Sequence, residues 1–270
     1  MTRRPSLDEL LTEAVERPIG GWDFGWLRQQ GRFQESALPW DYDQLVRERL
    51  NASHDLLDLG TGGGERLAAL QPHPSRTVAT ESYRPNVSVA ARRLAPRGIQ
   101  VIHCLGAPDN DRQQRLTSLP SLPFRDESFH LVIDRNEAFV AREVARILFS
   151  GGIFLTEQSG TSEIAPILRL LGLPVPPPRR PTWNLDLACR QAERADLRVL
   201  RSASSDFEMS FRDVGALVWY MRMAPWAVPG FSVYRHRSRL EHLHERIQRE
   251  GPLRVPRSGF WLEAVKGGLA

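Results

Sequence analysis

The feature that most constrains the fold of this chain is a short apolar run that leads directly into a turn rich in glycine. Residues 56–67 read Leu-Leu-Asp-Leu-Gly-Thr-Gly-Gly-Gly-Glu-Arg-Leu, with four glycines among five positions. Glycine accepts positive φ angles and lets a ligand approach the backbone, so the pattern predicts a buried strand, a tight turn and a helix. We therefore expect a binding loop for a nucleotide-like cofactor at this turn.

Two common cofactor motifs do not fit the turn. The NAD fingerprint G-x-G-x-x-G needs a small residue at its third position, which, counting from Gly60, is Glu65. A phosphate-binding P-loop needs a lysine after the turn, and Lys266 is the only lysine in the chain. The remaining pattern is D-x-G-x-G-x-G from Asp58 to Gly64, whose spaced glycines admit an amino acid and a ribose.

A carboxylate follows the next predicted strand. Residues 77–81 read Thr-Val-Ala-Thr-Glu, so Glu81 ends a β-prone run 21 residues after Gly60. A doubly wound sheet places an acid at this position beside the ribose hydroxyls. The alternative is an exposed glutamate at a strand end, and the glycine turn favours the ribose role.

Strand and helix patterns alternate through the middle of the chain, which predicts an α/β fold. We expect a Rossmann-like, seven-stranded, mostly parallel sheet with helices on both faces. The predicted strands lie near 55–59, 77–81, 100–105, 129–134, 152–157, 197–205 and 259–265. The predicted segments are an N-terminal helical flap over 1–50, a core over 51–210, a helical insertion that covers the substrate over 211–256, and the last strand with a tail over 257–270.

Two further segments resemble class I methyltransferases that depend on S-adenosylmethionine (SAM). Residues 123–134 resemble the L-P-F-x-D-x-S-F-D-x-V segment before the fourth strand, with His130 in place of an aspartate. Residues 148–155 resemble the L-x-P-G-G turn before the fifth strand, with Ser150 in place of proline. Together with the glycine turn, these segments identify the chain as a member of that family over about 50–205 and the last strand.

The resemblance implies SAM as the cofactor and a set of residues around it. The strand-end aspartate and the glycine turn would surround the amino acid and the ribose, and the ends of the following strands would flank the adenine. Family members usually carry an acid and a small residue after the third strand, where this chain has Gly106 and Ala107. The implied cofactor-binding residues are Asp58, Gly60, Thr61, Gly62, Gly64, Glu81, Ser82, Gly106, Ala107, Asp109 and Asn136.

Three side chains are candidates for a catalytic base. Glu137 follows the fourth predicted strand, Glu157 follows the fifth, and His236 lies in the insertion. Glu137 could equally be the first-turn acid of the next helix, where the helix dipole favours it. His236 could equally be a structural residue.

Aromatic and sulfur-containing side chains are the candidates for contacts with the methyl acceptor. Residues 212–224 predict a helix that is apolar on two sides, which indicates either a buried core helix or a lid over an apolar substrate. The aromatic residues between 22 and 42 either pack as part of the flap or line the substrate cleft. The predicted substrate-binding residues are Trp26, Trp219, Tyr220, Met223 and Trp226.

The predicted acceptor is a small, partly apolar molecule, methylated on oxygen, nitrogen or a carboxyl group in a pathway such as secondary metabolism. Nucleic acid is disfavoured, because acids nearly balance the bases at a net charge of +4 and residues 134–137 lack the proline motif of amino-directed nucleic-acid methyltransferases. One alternative is an rRNA or tRNA methyltransferase that uses the basic residues of 235–249. A second alternative is a SAM-binding protein without catalysis.

Composition adds expectations about metals and location. Cys104 and Cys189 are the only cysteines and lack the spacing of metal ligands, so we expect no metal. No run approaches about 18 apolar residues, and the amino-terminal residues lack the apolar segment of a signal peptide. We therefore expect no membrane span and a cytoplasmic location.

Overall fold

The computed structural model of the chain describes residues 5–160, 164–177, 181–225 and 228–267. The chain divides into two compact units. The sheet unit consists of Leu38–Thr161, Arg179–Ser205 and Gly259–Ala270, and the aromatic unit consists of Met1–Ala37, Ser162–Pro178 and Asp206–Ser258. The predicted flap over 1–50 therefore contributes to both units. Within the described ranges, no helix has the length and hydropathy needed to cross a bilayer.

The described residues form ten α-helices, two 3₁₀ helices (Ala95–Arg97 and Gln113–Arg115) and eight strands. The α-helices are α1 (Leu7–Glu16), α2 (Gly25–Gln29), α3 (Tyr42–Leu50), α4 (Glu65–Ala69), α5 (Arg84–Leu94), α6 (Ala141–Ile147), α7 (Ala165–Leu170), α8 (Leu185–Glu193), α9 (Val214–Met223) and α10 (Arg237–Glu250). The strands are β1 (Phe33–Glu35), β2 (Asp55–Leu59), β3 (Arg76–Glu81), β4 (Gln100–His103), β5 (Phe129–Arg135), β6 (Leu148–Ser159), β7 (Leu197–Phe211) and β8 (Leu253–Lys266).

The sheet unit contains strands in the order β7–β8–β6–β5–β2–β3–β4. β2 pairs in parallel with β3 and β5, and the parallel pairs β3–β4 and β5–β6 extend the sheet on either side. β8 runs antiparallel to β6, with Thr156 opposite Leu262. Five consecutive parallel strands bring their carboxyl ends to one edge of the sheet.

Each face of this sheet is covered by its own apolar core. Leu57 and Leu59 pack in a cluster with residues of α6 and α8. Leu56 packs in a second cluster with residues of α3, α4 and α5. Successive side chains of a strand point to opposite faces, so an apolar run such as 56–57 requires helices on both sides. This arrangement confirms the predicted α/β class with helices on both faces.

The aromatic unit has a separate core built around α9. A capping box starts α1, because the Ser6 hydroxyl accepts a hydrogen bond from the Glu9 amide and the Glu9 carboxylate accepts one from the Ser6 amide. α1 packs against α9. β1 runs antiparallel to the end of β7, with Phe33 opposite Phe211, and both rings are buried in this core.

All seven predicted strands are present, and the eighth strand, β1, was not predicted. β1 has three residues, too few to show an alternating pattern in the sequence. β7 and β8 are longer than predicted, with 15 and 14 residues. Within the predicted helical insertion over 211–256, α10 begins at Arg237.

Candidate functional site

The glycine turn joins β2 to α4 in the sheet unit. Gly60, Gly62 and Gly64 have φ angles of 67°, 63° and 76°, a region that side-chain-bearing residues rarely adopt. α4 begins directly after Gly64. The turn is tied to the neighbouring strand, because the Thr61 amide donates to the carbonyl oxygen of Thr80 at 2.9 Å. The predicted succession of strand, turn and helix is thus confirmed.

Glu81 ends β3 with its carboxylate against the glycine turn. Its Oε2 accepts a hydrogen bond from the Gly62 amide at 2.6 Å, and its Oε1 accepts one from the Tyr83 amide at 2.7 Å. Burial raises the pKa of Glu81, and these backbone hydrogen bonds act against the rise. Each carboxylate oxygen can accept a second hydrogen bond. Glu81 can therefore hold the turn and ligand hydroxyls at the same time.

Glu137 reaches the same turn from the end of β5. A Cβ atom placed on Gly60 would lie 2.6 Å from the Cβ and Cγ atoms of Glu137, so the side chain packs directly on the turn. Its Oε1 accepts a hydrogen bond from the Ser82 hydroxyl at 3.4 Å, and a Cβ on Gly106 would lie 3.3 Å from this oxygen. Burial, followed by the charge of Glu81, raises the pKa of Glu137 to about 7.

The residue before Glu137 has an unusual backbone conformation. Asn136 has a φ of 62°, and its amide donates to the carbonyl oxygen of Glu157 at 2.8 Å. Asparagine adopts this conformation more readily than most residues, so it fixes the direction in which the chain leaves β5. α6 begins only at Ala141, so Glu137 is not the first-turn acid of a helix.

Four carboxylates at the strand ends lack a cationic partner. Asp58, Glu81, Asp134 and Glu137 form no ion pair within 4.0 Å in the part of the chain that the structure describes. Burial raises the pKa of Asp58 to about 7. Asp134 is completely buried, and burial and the nearby Glu137 raise its pKa well above the usual range. This edge of the sheet can therefore accommodate positive charge.

A partly apolar cleft lies beside these carboxylates. Four of the predicted cofactor-binding residues line it, namely Gly60, Ser82, Gly106 and Ala107. Asp109 does not line this cleft and instead pairs with Arg112 at 3.2 Å. The sequence analysis missed further lining residues, although their places directly after strands or in the loops of this edge could have indicated them: Thr80, Cys104, Leu105, Leu122, Phe139 and Val140.

Comparisons with known proteins agree with this geometry. No protein-family model matches the sequence. A segment of 111 residues is 32% identical to the uncharacterized methyltransferase YcgJ of Bacillus subtilis (strain 168), covering 38% of this chain and 40% of that protein. The chain therefore matches less than half the length of this curated relative.

Solved structures extend the likeness to most of the chain. The crystal structure of YcgJ matches with a TM-score of 0.55 and 18% identity, over 84% of this chain and 99% of that chain. A candidate methyltransferase from Bacillus halodurans C-125 matches with a TM-score of 0.57 and 18% identity, over the same shares. The chain has the class I methyltransferase fold. This finding confirms the resemblance seen in the sequence at the level of the fold.

The topology of the methyltransferase fold explains why distant residues form one site. β5 and β3 are the immediate neighbours of β2, so the three carboxyl ends adjoin at one edge of the sheet. At or directly after these three strand ends lie Asp58, Glu81 and Glu137. In open α/β sheets, ligands bind outside this edge.

Glu157 is a poor candidate for a base within the methyltransferase fold. Its Oε2 accepts a hydrogen bond from the Trp40 indole at 2.8 Å, and its Oε1 accepts one from the Arg135 guanidinium at 2.5 Å. Both carboxylate oxygens of Glu157 thus already accept a hydrogen bond from a neighbouring side chain. The sequence could not identify these partners, which count against the predicted role of Glu157 as a base.

The predicted acceptor-binding residues lie in the aromatic unit, and α9 is buried within it. Trp219 and Met223 are 3% and 6% exposed, and the Trp219 ring packs edge-on against Trp26 at a centroid distance of 5.6 Å. The Tyr220 hydroxyl accepts a hydrogen bond from Arg257 at 2.9 Å. These contacts favour the buried core helix over the lid. Trp226 lies outside the described residues.

His236 directly precedes α10 in the aromatic unit. Its Nδ1 lies 2.9 Å from the carbonyl oxygen of Ser232, and its ring stacks on Phe231 at a centroid distance of 5.2 Å. These local contacts support the structural alternative for His236. Glu137 is the predicted base that the structure places against the glycine turn.

Proposed function

We propose that this protein is a SAM-dependent methyltransferase that acts on a small molecule. The observation that carries the proposal is the glycine turn of residues 60–64, which lies against Glu81 and Glu137 at the carboxyl edge of the sheet. The sequence relation to a methyltransferase supports it. The turn lacks the third small residue of an NAD fingerprint and the lysine of a P-loop.

The residues at this edge fit SAM in shape and charge. At Gly60 and Gly106 a Cβ would lie 2.6 Å and 3.1 Å from the side chains of Glu137 and Ser82, so these side chains can approach the backbone only because both residues are glycine. SAM carries a cationic sulfonium and an ammonium, which the carboxylates without cationic partners can offset. The residues that would hold SAM are Asp58, Gly60, Thr61, Gly62, Gly64, Glu81, Ser82, Gly106, Ala107 and Asn136.

The residues of the chain would contribute mainly by binding and orientation. Bound SAM supplies an electrophilic methyl group. Glu81 has acceptor capacity left for ribose hydroxyls, and Phe139 and Val140 give the cleft an apolar wall that excludes water. Much of the rate of such a displacement comes from holding the two reactants in line. A catalytic base is needed only for an acceptor with a high pKa.

Ion pairs within α10 favour a small acceptor over RNA, because they involve its basic residues. Arg246 and Arg249 both pair with Glu250, at 3.0 and 2.8 Å, and Arg237 pairs with Glu241 at 2.9 Å. Arginines that are already paired offer less charge to a phosphate backbone. A cytoplasmic location and a role in secondary metabolism remain predictions from the sequence.

Ligand-dependent thermal stability tests the cofactor. SAM and S-adenosylhomocysteine (SAH) should raise the melting temperature, whereas NAD and ATP should not, because a ligand that binds only the folded state stabilises it. Stabilisation by NAD without stabilisation by SAM or SAH would refute the proposal.

Release of SAH tests catalysis and the class of acceptor. A panel of hydroxyl, amine and carboxylate compounds should include acceptors that yield SAH. Stimulation by bulk RNA that vanishes as salt rises would favour the RNA methyltransferase instead. SAM binding without SAH release on any acceptor would favour a binding protein that lacks catalysis.

A further inference from the structure

Glu137 lies between two parts of the glycine-lined site. On one side its Cβ and Cγ pack on Gly60 in the turn after β2. On the other side its Oε1 meets the Ser82 hydroxyl and the backbone of Gly106. Under the proposed function, the amino-acid part of SAM lies near the turn and the adenosine part lies near Ser82 and Gly106. The sulfur atom joins these two parts, so under the proposed function Glu137 lies beside the position of the sulfur.

The carboxylate of Glu137 has no cation of its own in the described part of the chain. Its one described hydrogen bond is the long bond from Ser82. The groups that face it from the surrounding elements are Glu81 at the end of β3, Cys104 after β4 and Asp134 on its own strand. Asp58 on β2 acts in turn on Asp134. None of these four groups carries positive charge in any protonation state.

We propose that the Glu137 carboxylate recognises the sulfonium of SAM, so that the site binds the cationic methyl donor more tightly than the neutral thioether product. This inference rests on the proposed function and adds a specificity-determining residue to it. SAM and SAH share their adenosine, amino and carboxyl groups and differ by one methyl group and one positive charge. A carboxylate at the sulfur is therefore a direct way to distinguish them.

The protonation state of Glu137 makes this preference depend on pH. The pKa of Glu137 is raised to about 7, because the group is buried and lies near Glu81. The carboxyl group is therefore mostly neutral at pH 6 and mostly ionised at pH 8. The ionised fraction rises about tenfold over this interval, from roughly 0.1 to roughly 0.9. The preference for SAM over SAH should rise with the ionised fraction of Glu137.

The test measures the dissociation constants of SAM and SAH by calorimetry at pH 6, 7 and 8. The quantity to follow is the ratio of the SAH constant to the SAM constant, because the shared amino and carboxyl groups cancel in it. The wild-type ratio should rise about tenfold from pH 6 to pH 8. In Glu137→Gln the ratio at pH 8 should fall at least tenfold, about 1.4 kcal/mol, and should no longer change with pH.

Matched variants separate this effect from a general loss of structure. Glu193→Gln removes an exposed acid at the end of α8 and should keep the wild-type ratio at every pH. Glu137→Asp keeps the charge, so it should retain a ratio that rises with pH even if both ligands bind more weakly. Thermal unfolding of each variant confirms that it is folded.

Two results would contradict the inference and leave the proposed function standing. One is a wild-type ratio that stays constant between pH 6 and pH 8. The other is a Glu137→Gln variant that binds both ligands and keeps the wild-type ratio of dissociation constants, including its rise with pH. Failure of wild-type protein to bind either SAM or SAH would instead refute the proposed function itself.

Discussion

The two aspartates of β2 lie three residues apart and have opposite surroundings. Asp55, at the amino end, accepts a hydrogen bond from the His130 amide at 2.5 Å, and its Oδ2 lies 2.9 Å from His130 Nδ1. The Arg76 guanidinium is 3.8 Å away. Asp58, near the carboxyl end, forms no such ion pair in the described chain, and burial raises its pKa to about 7. One strand thus carries one acid with cationic groups within 4.0 Å and one acid without an ion pair in the described chain.

The contrast separates carboxylates that hold the fold from carboxylates that we propose bind a ligand. Glu263 on β8 belongs with Asp55, because it is completely buried and pairs with both Arg49 and Arg201. Glu137 belongs with Asp58. A buried carboxylate without a cation costs folding free energy, so a group of them at one edge indicates that a cationic ligand offsets the cost when it binds.

The largest effect on folding is expected where a carboxylate has two arginine partners. Glu263→Ala should lower the free energy of unfolding by about 3 kcal/mol, because it leaves Arg49 and Arg201 without their shared acceptor. Urea denaturation measures this change. Glu263→Gln should cost less, since the amide still accepts hydrogen bonds. The folded Glu263→Ala protein should bind SAM normally, and a tenfold loss of affinity would break the distinction between the two groups.

The largest effect on binding is expected at the glycine turn. Gly60→Ala combines a φ of 67° with a Cβ 2.6 Å from Glu137 and should weaken SAM binding about a hundredfold, roughly 2.7 kcal/mol. Gly98→Ala is the matched control, because Gly98 has a φ of 70° and nothing within 4 Å of the added Cβ. It should lose about 1 kcal/mol of stability and keep its affinity. Calorimetry measures the SAM affinity of both variants. Equal losses would contradict the expectation that the close contact between Gly60 and Glu137 matters for SAM binding.

The same substitution at both ends of β2 tests the comparison directly. Asp55→Asn should lower the free energy of unfolding by about 1.5 kcal/mol, because charged hydrogen bonds are lost, and should leave SAM binding unchanged. Asp58→Asn should raise the free energy of unfolding by about 1 kcal/mol at pH 8 and weaken SAM binding about tenfold. Chemical denaturation gives the change in the free energy of unfolding for each variant, and calorimetry gives the change in SAM affinity.

The sign of the Asp58 effect follows from its pKa, which is about 7 in the folded protein against a usual value of 3.8. The folded state holds this proton more tightly, so the stability contribution of Asp58 is complete below about pH 4 and is lost as pH rises to 7. The gain from Asp58→Asn should therefore be larger at pH 8 than at pH 5. An equal gain at both values would contradict the raised pKa.

The smallest effect is expected from exposed ion pairs of the aromatic unit. Arg246→Ala removes a pair with Glu250 in which both side chains are about half exposed. Such pairs contribute under about 0.5 kcal/mol, so thermal unfolding should hardly change. SAM binding should not change either. A tenfold loss of SAM affinity would show that α10 contributes to the cofactor site.

The sequence predicted the core of the sheet unit well because its signals are local. The run before Asp58 and the glycines after it specify a strand and a turn within ten residues, whatever the rest of the chain does. The capping box of Ser6 and Glu9 is equally local. Asn136 was singled out because it follows the fourth predicted strand, and its positive φ gives a physical reason for an asparagine there.

The sequence could not predict contacts that depend on distant parts of the chain. Glu157 looked like a free acid at a strand end, yet Trp40, 117 residues away, donates to it. The two apolar sides of α9 left a lid and a core helix equally open. Contacts with α1, β1 and β7 place this helix in a core.

The sequence by itself determined the strand, turn and helix of residues 55–69 and the acid at the end of the next strand, because backbone preference and side-chain periodicity act over a few residues. Only the tertiary structure decided which carboxylates are paired. Pairing depends on which strand ends become neighbours, and the order of strands in the sheet sets this even for Asp58 and Glu137, which lie 79 positions apart in the chain. Asp55 and Asp58 are the same residue type on the same strand, and only their surroundings distinguish them.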